Sequence, residues 1–315
     1  MSCQKLNIIV PCYNEEAVLP ETALKLSQIL SDLIQKKEVS KHSCICFVND
    51  GSQDKTLSIL KELMQKSDHI AYLSLSRNFG HQSALLAGLF ETDADVYITI
   101  DADLQDDPEK IREMVQKYKE GNDIVYGVRT ARDTDTWFKE KTARFFYFLQ
   151  KCLGIKTVYN AADFRLMSRR AVNALQSFPE KNLFLRGIVP LLGFQSAQVF
   201  YPRIARLAGE TKYPFFKMLS FALNGIIGFS VVPIRFLTII GIFISFMGFV
   251  LLIWSLYQYM VGNNVQGWAS LFSAMTFFNG IIIFSLGIIG EYIGKIFTEV
   301  KARPLFIIDQ KVGLK

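Results

Sequence analysis

The chain has 315 residues, half of them hydrophobic, with 35 Lys and Arg against 29 Asp and Glu for a net charge of +6. None of those charged residues falls in the 55 positions from Phe236 to Gly290, so an ordinary soluble composition is confined to the rest of the chain. That distribution excludes a purely soluble enzyme. It also excludes a polytopic transporter, because the charge-free stretch is long enough for only two membrane crossings. The N-terminal MSCQKLNIIVPCYNEE holds too short an apolar run for a secretion signal, and no basic run marks a nucleic-acid partner. Cysteines at 3, 12, 44, 46 and 152, without CxxC spacing, read as reduced thiols.

From Lys5 to about Tyr126, short β-rich runs alternate with helical segments. The runs are LNIIV (6–10), SCICFV (43–48), IAYLSL (70–75), VYITI (96–100) and DIVYG (123–127); Ala23–Gln35 and Lys55–Gln65 lie between them. Runs that are apolar at successive positions imply strands covered on both faces, and the βαβα order implies an α/β fold with a doubly wound, mainly parallel sheet. Such a sheet binds ligands at the carboxyl ends of its strands. Residues 137–210 read as helix, strand, helix and strand, and supply a second wall for the cleft.

Beyond them, Pro214–Phe229 is apolar with a single Lys217 and reads as an amphipathic helix in the headgroup region, with a core helix as the plain alternative. Ile234–Met260 and Trp268–Ile293 are each long enough to cross a bilayer of about 30 Å. Their connection, VGNNVQG, lacks Lys and Arg, while Arg235 precedes the first span and Lys295, Lys301 and Arg303 follow the second. Both ends are therefore expected in the cytoplasm. The expected organisation is a cytoplasmic domain over 1–212, an interfacial helix over 213–232, a transmembrane hairpin over 233–294 and a cytoplasmic tail over 295–315. Gly241-x-x-x-Ser245 and Gly290-x-x-x-Gly294 permit close helix packing, including a homo-oligomer through these helices.

Asp-x-Asp occurs three times, at Asp93–Asp95, Asp101–Asp103 and Asp133–Asp135. The first pair precedes a strand and the third lies in a polar loop; only Asp101 and Asp103 leave a buried strand at its carboxyl end. Two hard oxygen donors there suit Mg²⁺ or Mn²⁺ shared with a ligand's phosphates. Asp106 or Asp107 is assigned to capping the helix Glu109–Lys119. The first strand ends in Pro11-Cys12-Tyr13-Asn14-Glu15-Glu16, with neither GxGxxG nor GxxxxGK[ST]. Tyr13 offers a ring for stacking on a base, Glu15 an acceptor for base or ribose, and Asp50, after the second strand, an acceptor for a base edge or ribose. His81, His42 and His69 lack a second His at ligand spacing and are read as structural or solvent-facing.

Pro11–Glu16, Asn49–Asp54, Arg77-Asn78-Phe79-Gly80-His81-Gln82 and Asp101–Pro108, followed by two spans, resemble the family 2 glycosyltransferases of the GT-A fold. Within that family the chain is most similar to bacterial polyisoprenyl-phosphate glycosyltransferases, which include bactoprenol glucosyltransferases and relate to dolichol-phosphate mannose synthases. The resemblance implies that Pro11, Tyr13, Glu15, Asp50, Arg77 and Asp101 hold the nucleotide, that Asp101 and Asp103 bind the metal, and that Gln105 lies near it. It implies Asp163 as the catalytic base, though Asp163 also reads as a partner for Arg165. Arg129, Arg206 and Lys212 would meet phosphates.

The implied reaction is inverting transfer of one hexose from a nucleotide sugar to a polyprenyl phosphate at the bacterial inner membrane, with UDP-glucose and undecaprenyl phosphate as the leading pair. GDP-mannose, UDP-N-acetylglucosamine or a UDP-aminopentose are rival donors. A non-catalytic assembly or flippase partner is the rival of another class, opposed by the charge-free spans and the intact carboxylates.

Overall fold

The computed structural model describes residues 3–130, 158–178, 180, 184–202, 232–261 and 267–314. The described chain divides into two units. The first holds one mixed sheet of eight strands among the described residues, in the order β7-β5-β6-β4-β1-β2-β3-β8. These are β1 Leu6–Cys12, β2 Cys44–Asn49, β3 Ile70–Leu75, β4 Val96–Thr99, β5 Ile124–Thr130, β6 Ala161–Ser168, β7 Ser196–Pro202 and β8 Ile308–Val312. The sequence-expected parallel core is present: β1 pairs in parallel with β2 and β4, and β2 with β3. Their apolar runs are buried almost throughout, as strands covered on both faces must be.

Helices α1 (Leu19–Gln35), α2 (Thr56–Lys66), α3 (His81–Glu91) and α4 (Lys110–Lys119) alternate with these strands. On α1 the buried residues Ala23, Leu26, Ile29, Leu30 and Leu33 recur at helical spacing, and Pro20 sits in its first turn, where a missing N–H costs nothing. Helix α3 is seated most tightly. A Cβ on Gly88 would lie 2.2 Å from Ile9 Cγ2 and 3.0 Å from Val48 Cγ2, so only glycine lets the helix backbone reach the sheet. That seat fixes the N-terminal end of α3, where His81 stands.

Strand β6 runs antiparallel to β4 and β5, bringing the start of β6 to the carboxyl end of β4. Short helices α5 (Arg169–Gln176) and α6 (Leu185–Leu191) follow it, then β7 at one edge of the sheet. The helix expected over 137–153 and the interfacial helix expected near Pro214–Phe229 lie outside the described residues. At the other edge the segment expected only as a tail contributes β8. It pairs antiparallel with β3, with Tyr72 Oη donating to Gln310 Oε1 at 3.3 Å and Lys311 Nζ to the Glu91 carbonyl at 2.6 Å.

The second unit contains α7 (Val232–Met260) and α8 (Trp268–Val300). Large apolar side chains stand open on both, including Phe243, Phe246, Trp254, Ile283 and Phe284. Among the described residues one window, Phe277–Val300, is long and apolar enough to cross a membrane, and Leu237–Val250 forms a shorter apolar stretch.

Candidate active site

Because β1, β2, β3 and β4 are parallel, the loops that follow them gather along one edge of the sheet. The β1 and β2 loops interlock. Asn14 N–H donates to Ser52 Oγ at 3.0 Å and Asn14 Oδ1 accepts Gln53 N–H at 2.8 Å; Glu15 N–H donates to Thr56 Oγ1 at 2.9 Å, and Lys55 N–H to Glu16 at 3.0 Å. Asn14 adopts φ 56°, which asparagine tolerates well, and turns the chain so that Tyr13 is left 43% exposed. Pro11, expected against the nucleoside, is buried near the carboxyl end of β1 opposite Val48, past the last pairing of β1 with β4.

Asp50, expected at the nucleotide, has partners within the protein. Its two oxygens accept the N–H groups of Phe79 and Gly80 at 2.7 and 2.9 Å, so the carboxylate ties the β2 loop to the β3 loop. Burial raises its pKa, and those two amides oppose the rise. Gly51 makes this junction possible: with φ +64°, a Cβ there would lie 2.4 Å from the Arg77 carbonyl carbon. Arg77 itself stacks on Phe79, 4.0 Å from the ring centroid, and donates to the Asn78 carbonyl at 3.0 Å.

At the end of β4, the antiparallel register pairs Thr99 with Arg165; extended by two residues, it sets Asp101 opposite Asp163. Asp101 Oδ1 is buried without a hydrogen-bond partner. Burial pushes the Asp101 carboxyl up to about 6, His81 pulls against that, and Asp163, Asp106 and Asp103 reinforce it. Leu104, at φ 52°, wraps the following turn so that the Gln105 N–H and Nε2 donate to Asp103 Oδ1 and Oδ2 at 3.2 and 2.9 Å. Gln105 thus orients Asp103. An orphaned buried carboxylate oxygen amid other carboxylates fits a divalent cation. Among the described residues no three Asp, Glu, His or Cys side chains are placed to enclose one, so ligand oxygens would have to complete the shell. The other Asp-x-Asp pair described is structural: Asp93 pairs with Arg169 at 2.8 Å and Asp95 accepts the Lys5 N–H.

Asp163 accepts Arg165 Nη2 at 2.6 Å and Arg186 through Nε and Nη2 at 3.3 and 3.0 Å. Burial alone would raise its pKa, but Arg186 and Arg165 outweigh that and hold the carboxyl well below the usual range. His81, read from sequence as structural or solvent-facing, stands between the two acids, with Nε2 3.4 Å from Asp101 Oδ1 and 3.8 Å from Asp163 Oδ2. Arg129, expected to meet phosphate, is held through Nε by Asp106 at 2.7 Å, and the same oxygen accepts Tyr201 Oη at 2.8 Å. Asp107 Oδ1 accepts the Glu109 N–H at 3.1 Å in the turn before α4, whose own cap position, Glu109, has no side-chain capping bond. Arg206 and Lys212 lie outside the described residues.

Sequence reasoning missed Arg186. Its one signal is a lone charge in the apolar segment Phe184-Leu185-Arg186-Gly187-Ile188-Val189.

A mainly parallel mixed sheet with interlocked loops at its carboxyl edge and acids beyond its central strand is a GT-A-like fold. The chain belongs to glycosyl transferase family 2, whose model matches residues 7–176; a second model, the GtrB C-terminal hairpin, matches residues 232–296. YkoT, named an uncharacterized glycosyltransferase of Bacillus subtilis (strain 168), is 51% identical over 306 residues, covering 96% of this chain and 91% of that one. The SfII prophage-derived bactoprenol glucosyl transferase of Shigella flexneri is 39% identical over 308 residues, 97% and 98% of the two chains. A crystal structure of glucosyl-3-phosphoglycerate synthase from Mycobacterium tuberculosis with Mn²⁺, uridine diphosphate and phosphoglyceric acid is similar at 19% identity and TM-score 0.49, over 71% of this chain and 76% of that one.

Proposed function

We propose that this protein transfers glucose from UDP-glucose to undecaprenyl phosphate, with inversion, at the cytoplasmic face of a bacterial membrane. The observation that carries this reading is that a relative named bactoprenol glucosyl transferase aligns over 97% of the chain, spanning both the sheet with its carboxylates and the apolar helices.

The acceptor's chemistry suits the site. A phosphate monoester, with a second pKa near about 6, is largely dianionic at neutral pH and needs no strong base. One of its oxygens attacks the anomeric carbon as the bond to the donor's β-phosphate oxygen breaks; the acceptor becomes a diester, UDP departs, and no net proton moves. Asp163 keeps the buried Arg165 as its counter-ion at 2.6 Å, which favours an orienting role for it over proton transfer. A divalent ion bound by Asp101 and Asp103 would supply charge stabilisation for the departing diphosphate. Tyr13 and Arg77, both exposed at the interlocked loops, are suited to hold the nucleoside.

Topology supports a two-span hairpin. Strand β8 belongs to the same sheet as β1–β4, so the chain between Pro202 and Ile308 must cross a bilayer an even number of times. A single crossing by Phe277–Val300 would strand β8 on the wrong side. Two crossings, by α7 and α8, keep the sheet whole and return the tail to the cytoplasm. Arg206 and Lys212, just before the apolar segment in sequence, would then be available to the lipid phosphate.

The test incubates membranes containing the protein with a panel of radiolabelled nucleotide sugars and extracts the lipid phase. Label from UDP-glucose should appear there only when undecaprenyl phosphate is supplied. Label from another donor would reassign the sugar, and none from any donor would overturn the reading.

A further inference from the structure

Asp163 has two guanidinium partners and needs only one. Arg165, with its side chain 3% exposed, is its buried counter-ion; it also donates to the Leu185 carbonyl at 3.3 Å and cannot leave without stranding a buried charge. Arg186 differs in each respect. Its side chain is 41% exposed, and its contacts with Asp163, at 3.0 and 3.3 Å, are longer than the 2.6 Å bond from Arg165. Its position is firm nonetheless, because the neighbouring Leu185 N–H donates to Gln82 Oε1 on α3 at 3.2 Å.

Two other arginines at this edge hold contacts of a different kind: Arg129 is bound to the buried Asp106, and Arg77 stacks on Phe79 and donates to the Asn78 carbonyl. Arg186 is thus a partly exposed positive charge whose present partner is already neutralised by another residue. A guanidinium matches the oxygens of a phosphate as well as those of a carboxylate, and a dianion offers it twice the charge.

We infer that Arg186 is a phosphate-binding residue of this site, exchanging its bond with Asp163 for an incoming phosphate group. The inference deepens the proposed function and rests on it for the identity of the acceptor. Two sources share the chemistry, the acceptor's phosphate monoester and the donor's diphosphate.

The test is calorimetric and needs no turnover. The full chain in detergent is titrated with farnesyl phosphate, with farnesol, and with UDP plus Mn²⁺, as wild type, Arg186→Ala and Arg186→Lys. Arg186→Ala should weaken farnesyl phosphate by about tenfold while UDP stays within about twofold, and Arg186→Lys should recover part of the loss. Loss of UDP affinity with farnesyl phosphate unchanged would place the contact on the donor instead. Unchanged affinity for both phosphate ligands would overturn the inference. If Arg186→Ala does not fold, Arg186→Lys and Arg186→Gln decide it by the same comparison. If wild type binds farnesyl phosphate no better than farnesol, the proposed acceptor fails separately, and the UDP arm alone judges Arg186.

Discussion

Asp101, two residues beyond the last β4–β6 pair, and Asp163 on β6 share a neighbour in His81, whose Nε2 lies 3.4 Å from an oxygen of the first and 3.8 Å from an oxygen of the second. Their environments drive the two acids apart. Asp163 has two guanidiniums and stays a carboxylate, whereas Asp101 has only His81 nearby, beyond hydrogen-bond geometry, and burial pushes it up to about 6. One acid has its hydrogen-bond partners within the protein, and one oxygen of the other makes no hydrogen bond there.

Asp101→Asn should therefore lower transfer by about two to three orders of magnitude, the scale of losing one electrostatic contact to developing charge. The fold should survive, since Asp101 Oδ1 supports no hydrogen bond in the protein. Transfer assays alongside thermal melting check both halves. Chelation should abolish wild-type transfer, and Mg²⁺ or Mn²⁺ should restore it. Full activity in excess chelator would remove the metal from the site.

Asp163→Ala should cost stability, because it leaves the fully buried Arg165 without its counter-ion, a loss of about 3–5 kcal/mol. The pH dependence follows from the depressed pKa. A carboxyl more acidic folded than unfolded contributes its stability above the unfolded value near about 4, and loses it as pH falls below that toward the folded value. Wild type should lose melting temperature below pH of about 4 more steeply than Asp163→Ala does. Parallel curves would show that the ion pair contributes nothing to the acid limb.

The sheet's centre was legible because β1–β4 are buried on both faces and so read as unbroken apolar runs. Asp101 was found by the same logic, as the acid that follows such a run. What escaped sequence reasoning depends on chain segments far apart. Arg186 meets Asp163 only because β6 turns back antiparallel and α6 folds over it, and His81 reaches both acids only because Gly88 lets α3 sit low on β1 and β2. Strand β8, Ile-Asp-Gln-Lys-Val, escaped because an edge strand with one exposed face alternates in polarity and resembles a polar tail.

Gly51→Ala should disturb the junction of the loops after β2 and β3 rather than the core. The added methyl would meet the backbone of Arg77 and Asn78 at 2.4–2.8 Å, and backbone cannot swing aside as the end of a side chain can. Relieving that clash means breaking the grip of Asp50 on Phe79 and Gly80, at a cost of about 1–3 kcal/mol for the strained turn. UDP affinity should fall with melting only moderately lowered, and titration calorimetry with differential scanning fluorimetry would separate the two. An unchanged UDP affinity would mean that these loops do not form the nucleotide site.

The proposed two-span hairpin predicts a topology that can be tested without any assay of chemistry. If α7 and α8 both cross, residue 264 in their connection lies across the membrane from the sheet, while Cys3 stays with it. Asn264→Cys in intact cells should react with a membrane-impermeant maleimide that leaves the native cysteines untouched, and a cysteine introduced at Lys315 should react only after the cells are opened. Both labelling from outside would require an odd number of crossings. That would force β8 out of its pairing with β3, exposing a long sheet edge that proteins normally cover. Labelling of neither in intact cells, with both reactive after lysis, would mean that the helices lie on the membrane without crossing it.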